Sequence, residues 1–195
     1  MIHKQDLAIA NSRPKGGNDS RLYLDHIKAL KHLIEQQWQQ YPPAWFLTLQ
    51  WSPAPFHFEG ASDHAKHFRN KFLCELYKCS PSKIPPPEER CRLLWFHERA
   101  KDHRNRFIYH SHLHLTAPPE PYNSPQMLRF LISRKVAPGF RCLKHLNRKQ
   151  DPALVIKAWS HENHAHYNFK DYFRHRHDQD ADLVFDPERS CLLPV

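Results

Sequence analysis

Apolar positions along the chain alternate between two periods. Ile27, Leu30, Leu33, Ile34 and Trp38 recur at helical spacing, so residues 19–40 read as a helix with one docked face, capped by Asp19 or Ser20. Pro42 and Pro43 stop it. Residues 44–51, AWFLTLQW, are short, aromatic and β-branched, and read as a central strand ended by Pro53 and Pro55. The helical period returns over residues 61–78, with Ser62 as cap and Ala65, Phe68, Phe72, Leu73 and Leu76 facing inward. A proline-rich spacer over 80–89 follows. Residues 91–100 and 107–116 read as two strands around a polar turn, an antiparallel hairpin. Residues 123–135 predict a short helix, 153–160 a further strand, and 163–177 a helix with an aromatic stripe. The stretch 139–146 is ambiguous, and 178–195, acidic then apolar, fits neither period.

Strands separated by helices, with one tight hairpin, predict an α+β fold: an antiparallel sheet with helices packed on it, rather than a doubly wound parallel sheet. Residues 1–18 are polar and read as a mobile arm, and residues 19–195 as one domain. The 195 residues suffice for one domain with its own core.

Composition narrows the chemistry. Only four glycines are present, and Gly16 and Gly17 fall in the polar N-terminal stretch, so no phosphate-binding glycine loop exists. Five cysteines, odd in number and without a CxxC pair, argue against a disulfide scaffold or a cysteine-built zinc finger. No apolar run is long enough for a membrane helix, and the N-terminus lacks a signal-peptide pattern. The expectation is a cytoplasmic protein, or a nuclear one in a eukaryotic host, with no membrane partner. The net charge of +9 favours a polyanionic partner, with nucleic acid first. Arg69, Lys71, Arg99, Lys101, Arg104, Arg106, Arg134 and Lys135 can track backbone phosphates, and Trp51 and Trp95 are candidates for stacking on unpaired bases.

Histidine is the anomaly, at seventeen residues. In the strand FIYHSHLHLT, residues two apart share a face, so His110, His112 and His114 line one side while Tyr109, Ser111, Leu113 and Leu115 line the other. Four HxH pairs occur: 110/112, 112/114, 164/166 and 175/177. The 112/114 pair stands out because it lies in an apolar strand and follows a strand carrying His97 and Glu98. Those two point to opposite faces, and the turn length decides which one meets the histidines. A carboxylate beside two imidazoles suits Mg²⁺ or Mn²⁺ with positions open for substrate oxygens, which favours Glu98. Downstream, YNFK sets Tyr167 and Lys170 on one helix face. Lysine or a cation near a phenol favours the phenolate or holds a phosphate beside it.

FLTL (Phe46 to Leu49), HLH (His112 to His114) and YNFK (Tyr167 to Lys170), in that order, resemble motifs one, two and three of the HUH endonuclease superfamily: rolling-circle replication initiators, relaxases and single-strand transposases. The likeness runs from about Trp45 to His177. It implies a ferredoxin-like or RRM-like sheet with the histidine strand at its centre. It also implies a divalent metal, Mg²⁺ or Mn²⁺, held by His112, His114 and Glu98. Tyr167 would attack a single-stranded DNA phosphodiester, at an origin or hairpin, to leave a 5′-phosphotyrosine and a free 3′-hydroxyl, with Lys170 positioning the phosphate. A host helicase would supply unwinding. Tyr172 is a rival nucleophile, His97 a rival third ligand, and His161, His164 and His166 rival ligands or phosphate contacts. Two other readings remain open: a hydrolytic metal-dependent nuclease without a covalent intermediate, and a non-catalytic nucleic-acid-binding module.

Overall fold

The computed structural model describes residues 17–140, 142–143, 153–160, 183–186 and 188–192. Helix α1 (Gly17–Gln40) leads into strand β1 (Pro43–Leu49), helix α2 (Phe58–Tyr77), strands β2 (Leu93–Lys101) and β3 (Phe107–Thr116), helix α3 (Pro125–Leu131), and strands β4 (Leu154–Ala158) and β5 (Leu183–Asp186). All neighbouring strands are antiparallel, in the order β4-β1-β3-β2-β5. The fold is therefore α+β. The run β1-α2-β2-β3-α3-β4 with sheet order 4-1-3-2 is the ferredoxin-like arrangement, and β3 is the middle strand of the five.

The sheet has two covered faces. On one, α2 and α3 bury Phe68, Phe72, Leu73, Leu128 and Leu131 against Leu47, Leu49, Trp95, Leu113 and Leu115. On the other, Leu30, Ile34 and Trp38 of α1 pack on Leu94, Phe96 and Phe185. Each such side chain, fully buried, stabilises the fold by about 1.5–3 kcal/mol relative to exposure. The even-numbered residues of β3 thus lie beneath α1 over part of their length, so the strand is buried on both faces from Ser111 to Leu115.

Local chemistry explains the element ends. Ser124 accepts the Met127 amide at 3.3 Å and Pro125 occupies the first turn, so α3 starts there. It runs on as a π turn over Ile132–Val136. In the β2–β3 turn, Asp102 Oδ1 accepts the amides of Arg104 and Arg106, both at 2.9 Å, and Asn105 takes the left-handed conformation at φ 58°. The five-residue turn pairs Lys101 with Phe107 and fixes the register beyond.

Several expectations are corrected. Ser62 does not cap α2; the helix begins at Phe58, and Ser62 is buried within it. Asp19 and Ser20 fall inside α1, which starts at Gly17. The stretch that fitted no period supplies the edge strand β5. The sequence-predicted helix over 163–177 lies outside the described residues. The five cysteines are free, as expected. No helix among the described residues is long and apolar enough to cross a membrane.

Candidate metal centre

Register assembles the site. β2 and β3 pair so that Glu98 stands opposite His110 and Phe96 opposite His112. Directly opposed side chains in an antiparallel pair lie about 5 Å apart at Cβ, and diagonal ones within reach of a long side chain. Glu98 spans both. Its Oε2 lies 3.0 Å from His110 Nε2 and 2.8 Å from His112 Nε2. The ligand atoms of Glu98, His110 and His112 all fall within 4.8 Å of one another. His97, the neighbour of Glu98, points to the opposite face and is fully buried.

The surroundings orient these groups. His112 Nδ1 lies 3.2 Å from Thr48 Oγ1, on the other neighbouring strand, and Phe46 stacks on the same ring with centroids 5.2 Å apart. The His110 and His112 rings meet edge to face at 4.9 Å. Access comes from the His110 side: its side chain is 20% exposed, Glu98 14%, and His112 only 4%. Burial alone would raise the Glu98 carboxyl. The hydrogen bonds and charge of His110 and His112 outweigh it and hold Glu98 well below the usual carboxylate range.

Two imidazole nitrogens and one carboxylate oxygen, converged from two strands, fit a divalent transition ion or Mn²⁺. Binding would displace the protons that the two Nε2 atoms otherwise direct at Glu98. Thr48, as partner of His112 Nδ1, would then fix that ring's tautomer and orientation.

One expected ligand, His114, departs from the reading of the sequence. His114 shares the face but is 1% exposed, and its Nδ1 accepts the Trp38 indole N–H at 3.1 Å. A neutral ring that accepts at Nδ1 carries its proton on Nε2. Phe46, Phe96 and Trp159 enclose it, with centroids 5.6, 4.7 and 4.4 Å away. His114 is therefore a core residue beneath α1, and His110 takes its place beside His112 and Glu98. The signal for His110 lay in the turn: once it is known to close at Lys101 and Phe107, Glu98 faces His110.

Trp51 and Trp95 are not free to stack on bases. They are 4% and 0% exposed, in the α2 face of the core. The basic residues divide. Arg69 donates to the carbonyls of Glu188 and Arg189, and Lys71 pairs with Glu75 at 2.6 Å. Arg99, Lys101, Arg104 and Arg106 cluster at the far end of the β2–β3 hairpin. There Arg99 and Lys101 sit over Phe107, and Arg106 over exposed Phe56, at 4.5, 5.2 and 5.1 Å from the ring centroids. Tyr167, Lys170, Tyr172, His161, His164 and His166 lie outside the described residues.

A second polar chain, not foreseen from the sequence, lies behind the site. Trp51 Nε1 donates to Ser111 Oγ at 2.8 Å. Ser111 Oγ lies 2.8 Å from His97 Nδ1, and His97 Nε2 lies 3.0 Å from Asp186 Oδ2. Burial pushes the His97 imidazolium down, against the Asp186 hydrogen bond, and the ring is neutral. One tautomer satisfies every member: Ser111 donates to Nδ1, and Nε2–H donates to Asp186. The set is serine, histidine and aspartate, but each is at most 1% exposed. Without access for a substrate it is a structural strut joining β2, β3 and β5.

No family model matches the chain, nor does any curated protein or solved structure.

Proposed function

We propose that the chain is a metal-dependent nickase and strand transferase acting on single-stranded DNA, in the manner of the HUH endonucleases. The observation that carries this reading is the convergence of Glu98 Oε2 with His110 and His112 Nε2, at 3.0 and 2.8 Å, on the central strands of a ferredoxin-like sheet. The order of FLTL, the histidine strand and YNFK along the chain and the cationic hairpin end support it, with the metal pair at His110 and His112 rather than at the HLH that suggested the resemblance. The ligand set proposed is Glu98, His110 and His112; a divalent ion bound there supplies Lewis-acid polarisation of a phosphodiester oxygen. Glu98 contributes the negative charge, Thr48 orients His112, and Arg99, Lys101, Arg104 and Arg106 attract the backbone.

Tyr167 is the proposed nucleophile. Its phenolic oxygen forms a bond to the scissile phosphorus, the bond from phosphorus to the 3′ oxygen breaks, and the phenolic proton ends on the 3′-hydroxyl. The intermediate retains a phosphodiester-level bond, so the strand can be rejoined without ATP. Lys170 holds the phosphate. Fold alone does not carry an activity, so the test is chemical. Incubation with single-stranded oligonucleotides and Mn²⁺ is expected to give a denaturation-resistant adduct. Chelation, Tyr167→Phe and Glu98→Ala should each abolish it, while Tyr172→Phe should not. Cleavage without adduct selects the hydrolytic reading. Binding without cleavage selects the non-catalytic one. An adduct that survives in Tyr167→Phe and disappears in Tyr172→Phe moves the nucleophile.

A further inference from the structure

At the other end of β3 from the Glu98 cluster, a cleft of about 230 Å³, counted to its open mouth, is lined by Gln37, Tyr41, Pro43, Arg92, Leu94, His114, Thr116 and Cys191. Arg92 is its unusual member. The backbone on either side is pinned: Arg92 N donates to Thr116 Oγ1 at 2.9 Å, and Thr116 N donates to the Arg92 carbonyl at 3.1 Å. The side chain is 7% exposed. Its guanidinium carbon lies 2.9 Å from the centroid of the Tyr41 ring. Nη1 is buried with no hydrogen-bond partner.

A buried guanidinium is strongly disfavoured unless its charge and its N–H groups are matched. The Tyr41 ring offsets part of the charge through its π face. The ring contact leaves Nη1 without a hydrogen-bond acceptor. Among the described residues, no acidic side chain lines the cleft and Arg92 forms no ion pair. The cleft is thus lined by a buried cation with an unmatched donor, together with Thr116 and Gln37. Arginine in this setting selects planar or tetrahedral oxyanions. Size limits how such a group enters: the cleft has room for no more than about one water-sized atom. Nη1 is sealed in the resting structure, so an incoming oxygen must turn the guanidinium toward it while the rest of the ligand stays in the mouth.

We infer that this cleft is an oxyanion site, in which Arg92 receives one oxygen of a carboxylate or phosphate group on a small ligand. The site is separate from the proposed metal centre and does not depend on it.

The test uses the full chain and two probes, inorganic phosphate and acetate, against chloride at equal pH and ionic strength. Thermal unfolding is followed as each anion is titrated. One of the two probes is expected to raise Tm saturably by a few degrees by about 50 mM, as for any ligand that binds the folded state alone. The stronger probe tells phosphate from carboxylate. Arg92→Gln should remove the increment, and Lys83→Gln, at an exposed position outside the cleft, should keep it. Arg92→Lys keeps the charge and loses the planar fork, and should weaken the apparent affinity about tenfold; it also serves if the glutamine variant does not fold. A shift no larger than in chloride, as expected if water alone occupies the cleft, overturns the inference. So does an equal shift in the Arg92 variants.

Discussion

Trp38 donates its indole N–H to His114 Nδ1 at 3.1 Å, joining α1 to the middle strand across 76 positions of sequence. That bond and its aromatic surroundings separate His114 from the two histidines beside Glu98. His114→Ala should therefore act on stability. It leaves a buried cavity and an unpaired indole N–H, together costing about 2–4 kcal/mol. Mn²⁺ affinity should stay within about twofold, while His112→Ala and Glu98→Ala lower it at least about tenfold. Urea unfolding and calorimetric Mn²⁺ titration separate the two effects. If His114→Ala loses metal as strongly as His112→Ala, the ligands are the 112/114 pair instead.

The contrast between His110 and His114 shows what a strand pattern can and cannot say. Alternation in FIYHSHLHLT gives the face of each histidine, and the structure keeps that face. It says nothing of depth along the strand, which is set by α1, a helix far away in sequence. Hairpin arithmetic carries the pairing of Glu98 with His110, but only once the turn length is known, and Asp102 and Asn105 set that. Ser111 sits between two candidate ligands and looks like a spacer. Its role rests on Trp51, His97 and Asp186, which come from a loop and two other strands. Asp186 was unreadable because β5 is four residues long, too short to show a period. Ser62 was misread as a cap because its burial depends on the C-terminal turn, where Arg189 Nε donates to its hydroxyl at 3.1 Å.

The buried His97 predicts how stability responds to pH. Burial pushes its imidazolium below the ordinary 6.5, and the Asp186 carboxylate does not restore it. The folded ring is neutral where the unfolded ring begins to take up a proton. The unfolded state then binds more protons, so acid favours unfolding. Stability should be complete above about pH 6.5 and fall below it, by up to about 1.4 kcal/mol per pH unit for this one group. His64, also lowered by burial, acts in the same direction. His97→Gln cannot titrate, so the slope measured by urea unfolding between pH 7.5 and 5 should be shallower than in the parent. Parallel slopes would refute the assignment.

Ser111 tests the strut behind the candidate metal centre. Its hydroxyl accepts from Trp51 and donates to His97, both buried. Ser111→Ala strands one donor and one acceptor, a cost of about 2–4 kcal/mol in urea unfolding. The same burial denies Ser111 any role as nucleophile, so a fluorophosphonate probe should leave the folded protein unlabelled. Labelling at Ser111 would show that the triad opens to solvent and would reassign the chemistry.

Phe56 and the hairpin cations offer a separate test of the proposed nucleic-acid partner. Phe56 is 49% exposed, and Arg106 lies over its ring at 5.1 Å. A large exposed aromatic beside cations is the pairing that single strands use, with a base on the ring and phosphates on the charges. Phe56→Ala should weaken oligonucleotide binding by about 1–3 kcal/mol with little change in salt dependence. Lys101→Gln should weaken it at low salt and reduce the slope of log affinity against log salt by about 0.7, the value for one contact to a single strand. Arg106 also anchors Asp102 in the turn, through bonds of 3.0 and 2.7 Å. Arg106→Gln therefore mixes turn and binding effects. Fluorescence anisotropy at several salt concentrations distinguishes the two signatures. Affinity and slope unchanged in both variants would move the nucleic-acid contact away from this end of the hairpin.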